Sequence, residues 1–296
     1  MILDHRTLRE LCQLASTAAI EAGQYIQSQF DQSYVKRNKA GGDSLASQVV
    51  TAVDLRAQEI ILGHLRSSIQ AFDFGLLTEE AVDDTSRGVK DYFWCIDPLD
   101  GTLPFTEQRT GYAVSIALVA KAGNPVIAVV YIPDEELCYK AIEGDGVLLN
   151  DDQFKRMQRS QDDALHMFMD RSFQSEPYFD FVMSQLEQYA KGQGMKVKAH
   201  ADYGGVRNAL GVIAAQQGCY VKFPKKSNGC GSIWDYAATR LIAEETGCHV
   251  ASANGDRLHL NLPETTFMNQ QGVLYSTDKA LAKYLIGLGQ QVKKGF

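Results

Sequence analysis

The sequence predicts a mixed α/β (α+β) fold, arranged as two lobes in one compact unit. Three observations predict it: helices open the chain, a run of strands crosses its middle, and helices and strands alternate in its second half. At 296 residues, 45% of them hydrophobic, the chain is long enough to bury a large core. A polar stretch at residues 150–163 predicts the boundary between an N-terminal lobe, 1–155, and a C-terminal lobe, 156–296.

The first part of the chain predicts two helices. Apolar residues recur at helical spacing over residues 8–26, and Thr7 with Glu10 fits a capping box at the start. A polar loop follows, with Gly41-Gly42-Asp43-Ser44 at its tip. A second helix is expected to begin near Val53 and to continue through Leu65.

Strands follow in the middle of the chain. Residues 91–96, DYFWCI, predict a short buried strand that ends at Asp97-Pro98, because proline cannot donate to a β-ladder. Residues 113–142 predict an antiparallel meander of three strands, with a turn at Gly123-Asn124. The second half predicts helices at 178–189, 206–216 and 233–246, a strand at 219–223, and Gly247 as a helix C-terminal glycine.

Composition and charge exclude several classes of function. The formal net charge of −7 argues against long nucleic acids as partners. A protein with this charge would need bound cations in order to bind a phosphate group. We expect no signal peptide and no membrane span, because no apolar run is long enough. The six cysteines contain no C-x-x-C pair, so we expect reduced thiols in a cytoplasmic protein.

The most informative segment runs from Asp97 to Thr102, with the sequence Asp-Pro-Leu-Asp-Gly-Thr. A turn after the strand can aim Asp97, Asp100 and the Leu99 carbonyl at one point, and such oxygen donors suit Mg²⁺ or Ca²⁺. Gly101 allows close approach to a ligand, and a helix opening at Thr102 would direct its N–H groups at a phosphate. The simpler interpretation is an Asp-Pro turn with a solvated second aspartate.

Three further acids are candidates for the same site. Glu79 can equally belong to an acidic surface turn, and Asp54 and Asp235 can equally serve as helix-capping residues. Together these acids can form a site for two or three divalent cations. Such ions offset the repulsion between carboxylates and a phosphate ester, activate a water and stabilise the leaving oxygen, so no side-chain nucleophile is needed.

These motifs together resemble the inositol monophosphatase superfamily, which includes inositol monophosphatases, fructose-1,6-bisphosphatases and 3'-phosphoadenosine 5'-phosphate (PAP) phosphatases. The matching segments cover roughly residues 45–250, and they are residues 50–54 (VTAVD), 79–80 (EE), 97–102 (DPLDGT) and 234–238 (WDYAA). The resemblance implies a layered α/β/α/β/α sandwich, a homodimer and inhibition by lithium.

The resemblance also implies roles for individual residues. Thr102 and Glu79 would position the attacking water, Asp54 would assist that water or hold a further metal, and Gly101 with Thr102 would contact the phosphate. The implied Mg²⁺ ligands are Glu79, Asp97, the Leu99 carbonyl, Asp100 and Asp235.

The sequence departs from the family pattern at two relevant places. Thr78 stands where the family usually has glycine. Asn228 stands where inositol monophosphatases have a glutamate that holds sugar hydroxyls, and the loop from Pro224 to Ser232 is longer than usual.

Basic residues near the last motif are candidate substrate contacts. Lys222 and Lys225 would suit the second phosphate of a PAP-type substrate, and Arg207 is a similar candidate. The simpler interpretation of each is a solvated cation.

We therefore expect a Mg²⁺-dependent phosphomonoesterase acting on a small soluble phosphate ester, either inositol monophosphate or another sugar phosphate. One alternative is a 3'(2'),5'-bisphosphate nucleotidase acting on PAP. A second is a haloacid-dehalogenase-type phosphatase with Asp97 as covalent nucleophile, although the Asp-x-x-Asp spacing is one residue too long for it. A third is a metal- and phosphate-binding regulator without turnover.

Overall fold

The computed structural model describes residues 1–30, 52–156 and 163–295, together with the backbone of residues 37–38 and 49–50. The predicted loop tip at Gly41–Ser44 and Thr51 of the first matching segment lie outside the described residues, as does part of the predicted lobe boundary. Strands β1 (Arg37–Asn38) and β2 (Val49–Val50) pair antiparallel with each other.

The larger sheet has seven strands in the order β3-β4-β5-β6-β7-β8-β9. Only β3 and β4 pair in parallel, and the other neighbours are antiparallel. The predicted three-stranded meander is confirmed as β5, β6 and β7. The strands are β3 (Gly75–Thr78), β4 (Tyr92–Asp100), β5 (Ala113–Ala120), β6 (Asn124–Ile132), β7 (Leu137–Ile142), β8 (Val147–Leu149) and β9 (Asp152–Gln153).

Strand β4 corrects one prediction, because it continues through Pro98 and ends at Asp100. Its pairing with β5 shifts register between Asp97 and Asp100, which marks a bulge. Pro98 lies inside this bulge, so the sheet tolerates its missing N–H there. The bulge places both aspartates at the end of a buried strand.

The smaller sheet has five strands in the order β11-β10-β12-β14-β13. Of these the sequence predicted only β12. The others were missed because they are three to five residues long and, in β11, mostly polar. They are β10 (Ala164–Phe168), β11 (Lys196–His200), β12 (Gly218–Lys222), β13 (His249–Ala251) and β14 (Val273–Ser276).

Seven helices lie in the described part of the chain: α1 (His5–Ser28), α2 (Ala52–Phe72), α3 (Thr102–Thr106), α4 (Phe179–Gly192), α5 (Gly205–Ala214), α6 (Ile233–Glu245) and α7 (Lys279–Gly295). The predicted capping box at the start of α1 is wrong. Asp4 is the N-cap, and its side chain accepts from the Thr7 N–H at 2.8 Å. Aspartate is a stronger N-cap than threonine, so the helix begins one turn earlier.

The core has three clusters, which define five layers. Helices α1 and α2 pack on one face of the larger sheet, α5 and α6 fill the space between the two sheets, and α4 and α7 cover the outer face of the smaller sheet. Successive residues of β12 show this arrangement, since Tyr220 faces the middle layer while Cys219 and Val221 face the outer helices. The fold is therefore an α/β/α/β/α sandwich, as the resemblance implied.

The predicted division into lobes stays a prediction. The larger sheet ends at Gln153 and the smaller sheet begins at Ala164, but the middle core joins side chains from both halves, such as Val130 and Val206. All six cysteines are unpaired, in agreement with the expectation of reduced thiols. Among the described residues, no helix has the length and apolar character to span a membrane.

Candidate active site

Three of the predicted metal ligands converge in the fold. Asp97, Asp100 and Asp235 each offer a carboxylate oxygen, and these oxygens lie within 4.8 Å of one another. The first two come from the bulge of β4, and the third comes from the first turn of α6 in the middle layer. Residues more than 130 positions apart thus meet in one group of hard oxygen donors.

Glu79 joins this group because β3 runs parallel beside β4. The residue follows β3, its N–H donates to the Ile96 carbonyl at 3.2 Å, and its side chain hydrogen-bonds to Asp97. Thr78, which stands where the resemblance leads us to expect glycine, is buried and donates its hydroxyl to Gln58 Oε1 of α2. The threonine therefore anchors the segment that carries Glu79.

The acids of the cluster oppose one another's ionisation. Burial raises the pKa of Asp97 well above its ordinary value, and the carboxylates of Glu79, Asp100 and Asp235 raise it further. Burial raises the pKa of Asp100 well above its ordinary value too, and the Asp235 carboxylate adds a smaller rise. Burial also raises the pKa of Asp235, although the Lys222 ammonium opposes that rise. A divalent cation would relieve this repulsion, so the donor set fits Mg²⁺.

Asp100 also holds the start of α5. Its two carboxylate oxygens accept from the N–H groups of Gly205 and Val206, each at 2.9 Å. A Cβ on Gly204 would lie 2.3 Å from Asp100 Oδ2 and 2.7 Å from the backbone nitrogen of Gly101, so only glycine permits this approach. Sequence reasoning missed this contact, although the Gly204-Gly205 pair before a predicted helix was a signal.

Asp235 serves two structures at once. Its Oδ2 accepts from the Ser232 N–H at 2.8 Å, as in a capping box at the start of α6. The same carboxylate belongs to the acidic cluster. The two sequence interpretations of this residue are therefore compatible, because a carboxylate has enough acceptor positions for both.

The end of β4 turns sharply into α3. Gly101 has a φ of +82°, and a Cβ there would lie 2.6 Å from the Gly111 carbonyl oxygen, so glycine is required. Thr102 opens α3, as the sequence suggested, and its hydroxyl donates to the Leu99 carbonyl at 3.1 Å. Asp97 Oδ1 accepts from the Leu99 N–H at 3.1 Å.

Asp54 lies in the first turn of α2, where it is 2% exposed. The group of three acids found among the described residues does not include it. One turn further along the same helix, Gln58 holds Thr78. The catalytic role that the resemblance implies for Asp54 stays a prediction.

Lys222 is held beside the cluster by an acid that sequence reasoning missed. Its ammonium pairs with Asp170 Oδ2 at 2.5 Å and lies over the rings of Tyr220 and Tyr236, at 5.6 and 5.5 Å from their centroids. Asp170 Oδ1 also accepts from the Tyr220 hydroxyl, at 2.8 Å. The only sequence signal for Asp170 was its place directly after a short apolar run, which is strand β10.

The other predicted substrate residues lie in different surroundings. The Arg207 guanidinium contacts the carboxylates of Asp134 and Glu135, in the turn between β6 and β7. Asn228 is exposed in the loop before α6. Lys225, in the same loop, lines a cleft.

This cleft lies between the segment after β10 and the loop before α6. The cleft is open to solvent, and the space between its walls together with the solvent at its mouth is about 450 Å³. Its lining includes Asp170, Phe173, Tyr178, Lys222, Lys225 and Gly231. A Cβ on Gly231 would lie 2.2 Å from Asp235 Oδ2, so the cleft adjoins the acidic cluster.

Comparisons with known proteins identify the family of this chain. The family model described as "Inositol monophosphatase family" matches residues 7–294. The 3'(2'),5'-bisphosphate nucleotidase CysQ of Salmonella typhimurium is 28% identical over 265 residues, covering 88% of this chain and 96% of that protein. The Nus factor SuhB of Escherichia coli (strain K12) is 27% identical over 258 residues, covering 84% of this chain and 87% of that protein.

Solved structures share the fold. Thermotoga maritima IMPase has a TM-score of 0.73 at 19% identity, covering 96% of this chain and 98% of that one. Staphylococcal inositol monophosphatase-1, in a LiCl-soaked inhibitory complex, has a TM-score of 0.74 at 19% identity, covering 97% and 96%. The family match excludes the haloacid-dehalogenase alternative. The chain belongs to the inositol monophosphatase family and is a metal-dependent phosphoric monoester hydrolase.

Proposed function

We propose that the protein is a Mg²⁺-dependent phosphomonoesterase that hydrolyses a small soluble phosphate ester, of the inositol monophosphate or sugar phosphate type, with an activated water. The observation that carries this proposal is that carboxylate oxygens of Asp97, Asp100 and Asp235 lie within 4.8 Å of one another. The Glu79 side chain joins them through its hydrogen bond to Asp97. Only oxygen donors are present in this group, and Mg²⁺ prefers such donors.

The residues proposed to hold two or three ions are Glu79, Asp97, the Leu99 carbonyl, Asp100 and Asp235. When bound, the ions supply positive charge for the phosphate and lower the pKa of a water. Gly101 and Thr102 are proposed to contact the phosphate, and the Thr102 hydroxyl with Glu79 is proposed to orient the water. Thr102 is already fixed by its bond to Leu99, which favours a defined orientation. Asp54 is proposed to assist the water or to hold a further ion.

A second candidate is a 3'(2'),5'-bisphosphate nucleotidase activity on PAP. Two lysines, Lys222 and Lys225, line the cleft that adjoins Asp235. A substrate with two phosphates needs a cation for the second phosphate close to the site that holds the first. The similarity to CysQ over most of both chains also supports this candidate.

The test is a phosphate-release screen on protein stripped of metal and then supplied with Mg²⁺. The substrates are inositol 1-phosphate, fructose 1,6-bisphosphate, PAP and histidinol phosphate. We expect release that requires Mg²⁺ and that is lost in Asp97→Asn. Binding of these esters without any release would favour the non-catalytic regulator.

Three further expectations belong to this proposal. We expect a homodimer, measurable by light scattering, and a cytoplasmic location. We also expect inhibition by millimolar lithium, an expectation supported by the staphylococcal relative, whose LiCl-soaked complex is an inhibitory one. Lithium sensitivity is measured by adding LiCl to the phosphate-release assay, with equal concentrations of KCl as the control. Activity that lithium does not change would weaken the subfamily assignment but would leave the proposed metal-dependent mechanism unaffected.

A further inference from the structure

A buried threonine ends the strand that precedes Glu79. Thr78 is the last residue of β3, is 3% exposed, and donates its hydroxyl to Gln58 Oε1 of α2 at 2.5 Å. A hydroxyl that is removed from water needs a hydrogen-bond partner, and Gln58 supplies it. The resemblance leads us to expect glycine at this position. A glycine cannot form this bond, so the contact follows from the departure of this chain from the family pattern.

The hydrogen bond joins two elements that carry acids of the proposed site. Gln58 lies one turn after Asp54 on α2, and residues four apart share a face of a helix. On the other side of the bond, Thr78 directly precedes Glu79, whose side chain hydrogen-bonds to Asp97. The bond therefore links the helix face that carries Asp54 to the backbone that carries Glu79.

Backbone pairing fixes Glu79 to the sheet but does not fix α2. Strand β3 pairs with β4, and the Glu79 N–H extends this pairing by donating to the Ile96 carbonyl at 3.2 Å. Helix α2, in contrast, packs on the sheet through apolar side chains such as Ala57 and Ile61. Apolar contacts have no preferred direction, so they permit small shifts of a helix along its axis. A hydrogen bond depends on distance and angle, so it opposes such shifts.

Another hydrogen bond joins α2 to the larger sheet near the other end of the helix. The Trp94 indole N–H donates to Ser68 Oγ at 3.1 Å, and both residues are buried. Ser68 lies ten residues beyond Gln58, which is about 15 Å along the helix. This bond supports the packing of α2 far from Asp54, so it provides a matched comparison for the bond beside the acids.

We propose that Thr78 and Gln58 are positioning residues, which hold Asp54 and Glu79 in the relative placement that binding of Mg²⁺ requires. The inference rests on the function proposed above, in which these acids hold the ions or orient the water. It gives a role to Gln58, a residue that no sequence motif indicated. Both positioning residues act through the acids that they hold.

The first test compares Mg²⁺ affinity with stability. Thr78→Val keeps the shape of the side chain and removes the hydroxyl. We expect it to weaken Mg²⁺ binding to the metal-free protein, measured by calorimetry, roughly tenfold, because residues that support metal ligands have effects of this size. Thr78→Ser keeps the hydroxyl and should restore the affinity. Thermal unfolding without metal should change little, because the half-buried Gln58 amide can bond to water instead.

Ser68→Ala is the matched control for Thr78→Val. It leaves the buried Trp94 N–H without this partner, so we expect a lower unfolding temperature and an unchanged Mg²⁺ affinity. The two variants should therefore rank in opposite orders for stability and for affinity. If Thr78→Val lowered stability and left Mg²⁺ affinity unchanged, its role would be purely structural and the proposal would be overturned.

A double variant tests whether the two residues act as a pair. Gln58→Met removes the acceptor from a half-buried position, and it should weaken Mg²⁺ binding about as much as Thr78→Val. Residues joined by one bond have non-additive effects, so the double variant should lose about tenfold in affinity rather than about a hundredfold. Losses that multiply would show that the two residues act separately, which would overturn the pairing.

Phosphate release separates this inference from the proposed function. Release that requires Mg²⁺, together with equal Mg²⁺ affinity in wild type and Thr78→Val, overturns the positioning role and leaves the phosphatase proposal intact. Mg²⁺ binding that Thr78→Val weakens and Thr78→Ser retains, without release from any ester in the screen, supports the positioning role and overturns the phosphatase proposal.

Discussion

Asp97 has contacts on several sides in the structure. It is 1% exposed, accepts from the Leu99 N–H, and hydrogen-bonds to Glu79. A buried carboxylate among other carboxylates destabilises the fold unless a cation or a proton compensates it. We infer that a residue in such a position serves catalysis rather than stability. Removing its charge should therefore lower activity while leaving stability unchanged or raising it.

We therefore expect Asp97→Asn to lower kcat/KM by roughly a hundredfold or more, because it removes a proposed metal ligand. The amide has nearly the same shape and no charge, so the metal-free variant should unfold at the same temperature as the wild type or higher. Phosphate release and thermal unfolding measure the two effects. Glu187→Gln, on the exposed face of α4 and away from its first turn, is the control and should change neither. Near-normal turnover in Asp97→Asn would remove the mechanism.

At the level of elements, the site depends on how β4 meets α5. The β4 bulge brings Asp100 to the N-terminus of α5, and the backbone of Gly204 lies against Asp100 and Gly101. Two neighbouring glycines differ sharply here. A Cβ on Gly204 would lie 2.3 Å from Asp100 Oδ2, whereas one on Gly205 would meet nothing closer than 3.5 Å.

Gly204→Ala should therefore displace Asp100 or the start of α5 and reduce activity strongly, with a loss of stability of about 1–3 kcal/mol from overpacking. Gly205→Ala should keep activity and stability, because the added methyl group makes only ordinary contacts. Chemical denaturation and phosphate release on both variants check this. Equal behaviour of the two alanine variants would contradict the close approach.

At the scale of the whole molecule, the acidic cluster links stability to pH and to metal. Burial and neighbouring carboxylates raise the pKa of Asp97 above its ordinary value of 3.8, so the folded state binds that proton more strongly than the unfolded state. The corresponding stability is present below pH 3.8 and is lost as pH rises through the raised pKa.

We expect the metal-free wild type to lose stability relative to Asp97→Asn as the pH rises above 3.8 toward the alkaline side, by at most about 1.4 kcal/mol per pH unit. Mg²⁺ should restore the wild type at the upper end and have a smaller effect on the variant. Urea denaturation of both proteins across this range, with and without Mg²⁺, measures the difference. Parallel pH curves in the absence of metal would contradict the prediction.

The sequence by itself determined those features that depend on the local conformation of the backbone. Long helices with regular apolar spacing, the meander from β5 to β7, and the segment from Asp97 to Thr102 were all predicted, because periodicity and turn residues act over a few positions. Two local predictions were nevertheless wrong. Strand β4 extends past its predicted end because it pairs with β5, and α1 begins before its predicted start because Asp4 is a stronger N-cap than Thr7.

Only the tertiary structure decided which side chains meet. Asp170 holds Lys222 across 52 positions, and Asp100 binds the N–H groups of Gly205 and Val206 more than 100 positions away. Lys222 and Lys225 looked equivalent in sequence, yet one is paired and the other lines the cleft without an ion pair in the described chain. Sequence spacing carries no information about such contacts, because they form when separate layers pack together and burial selects the partners of each charge.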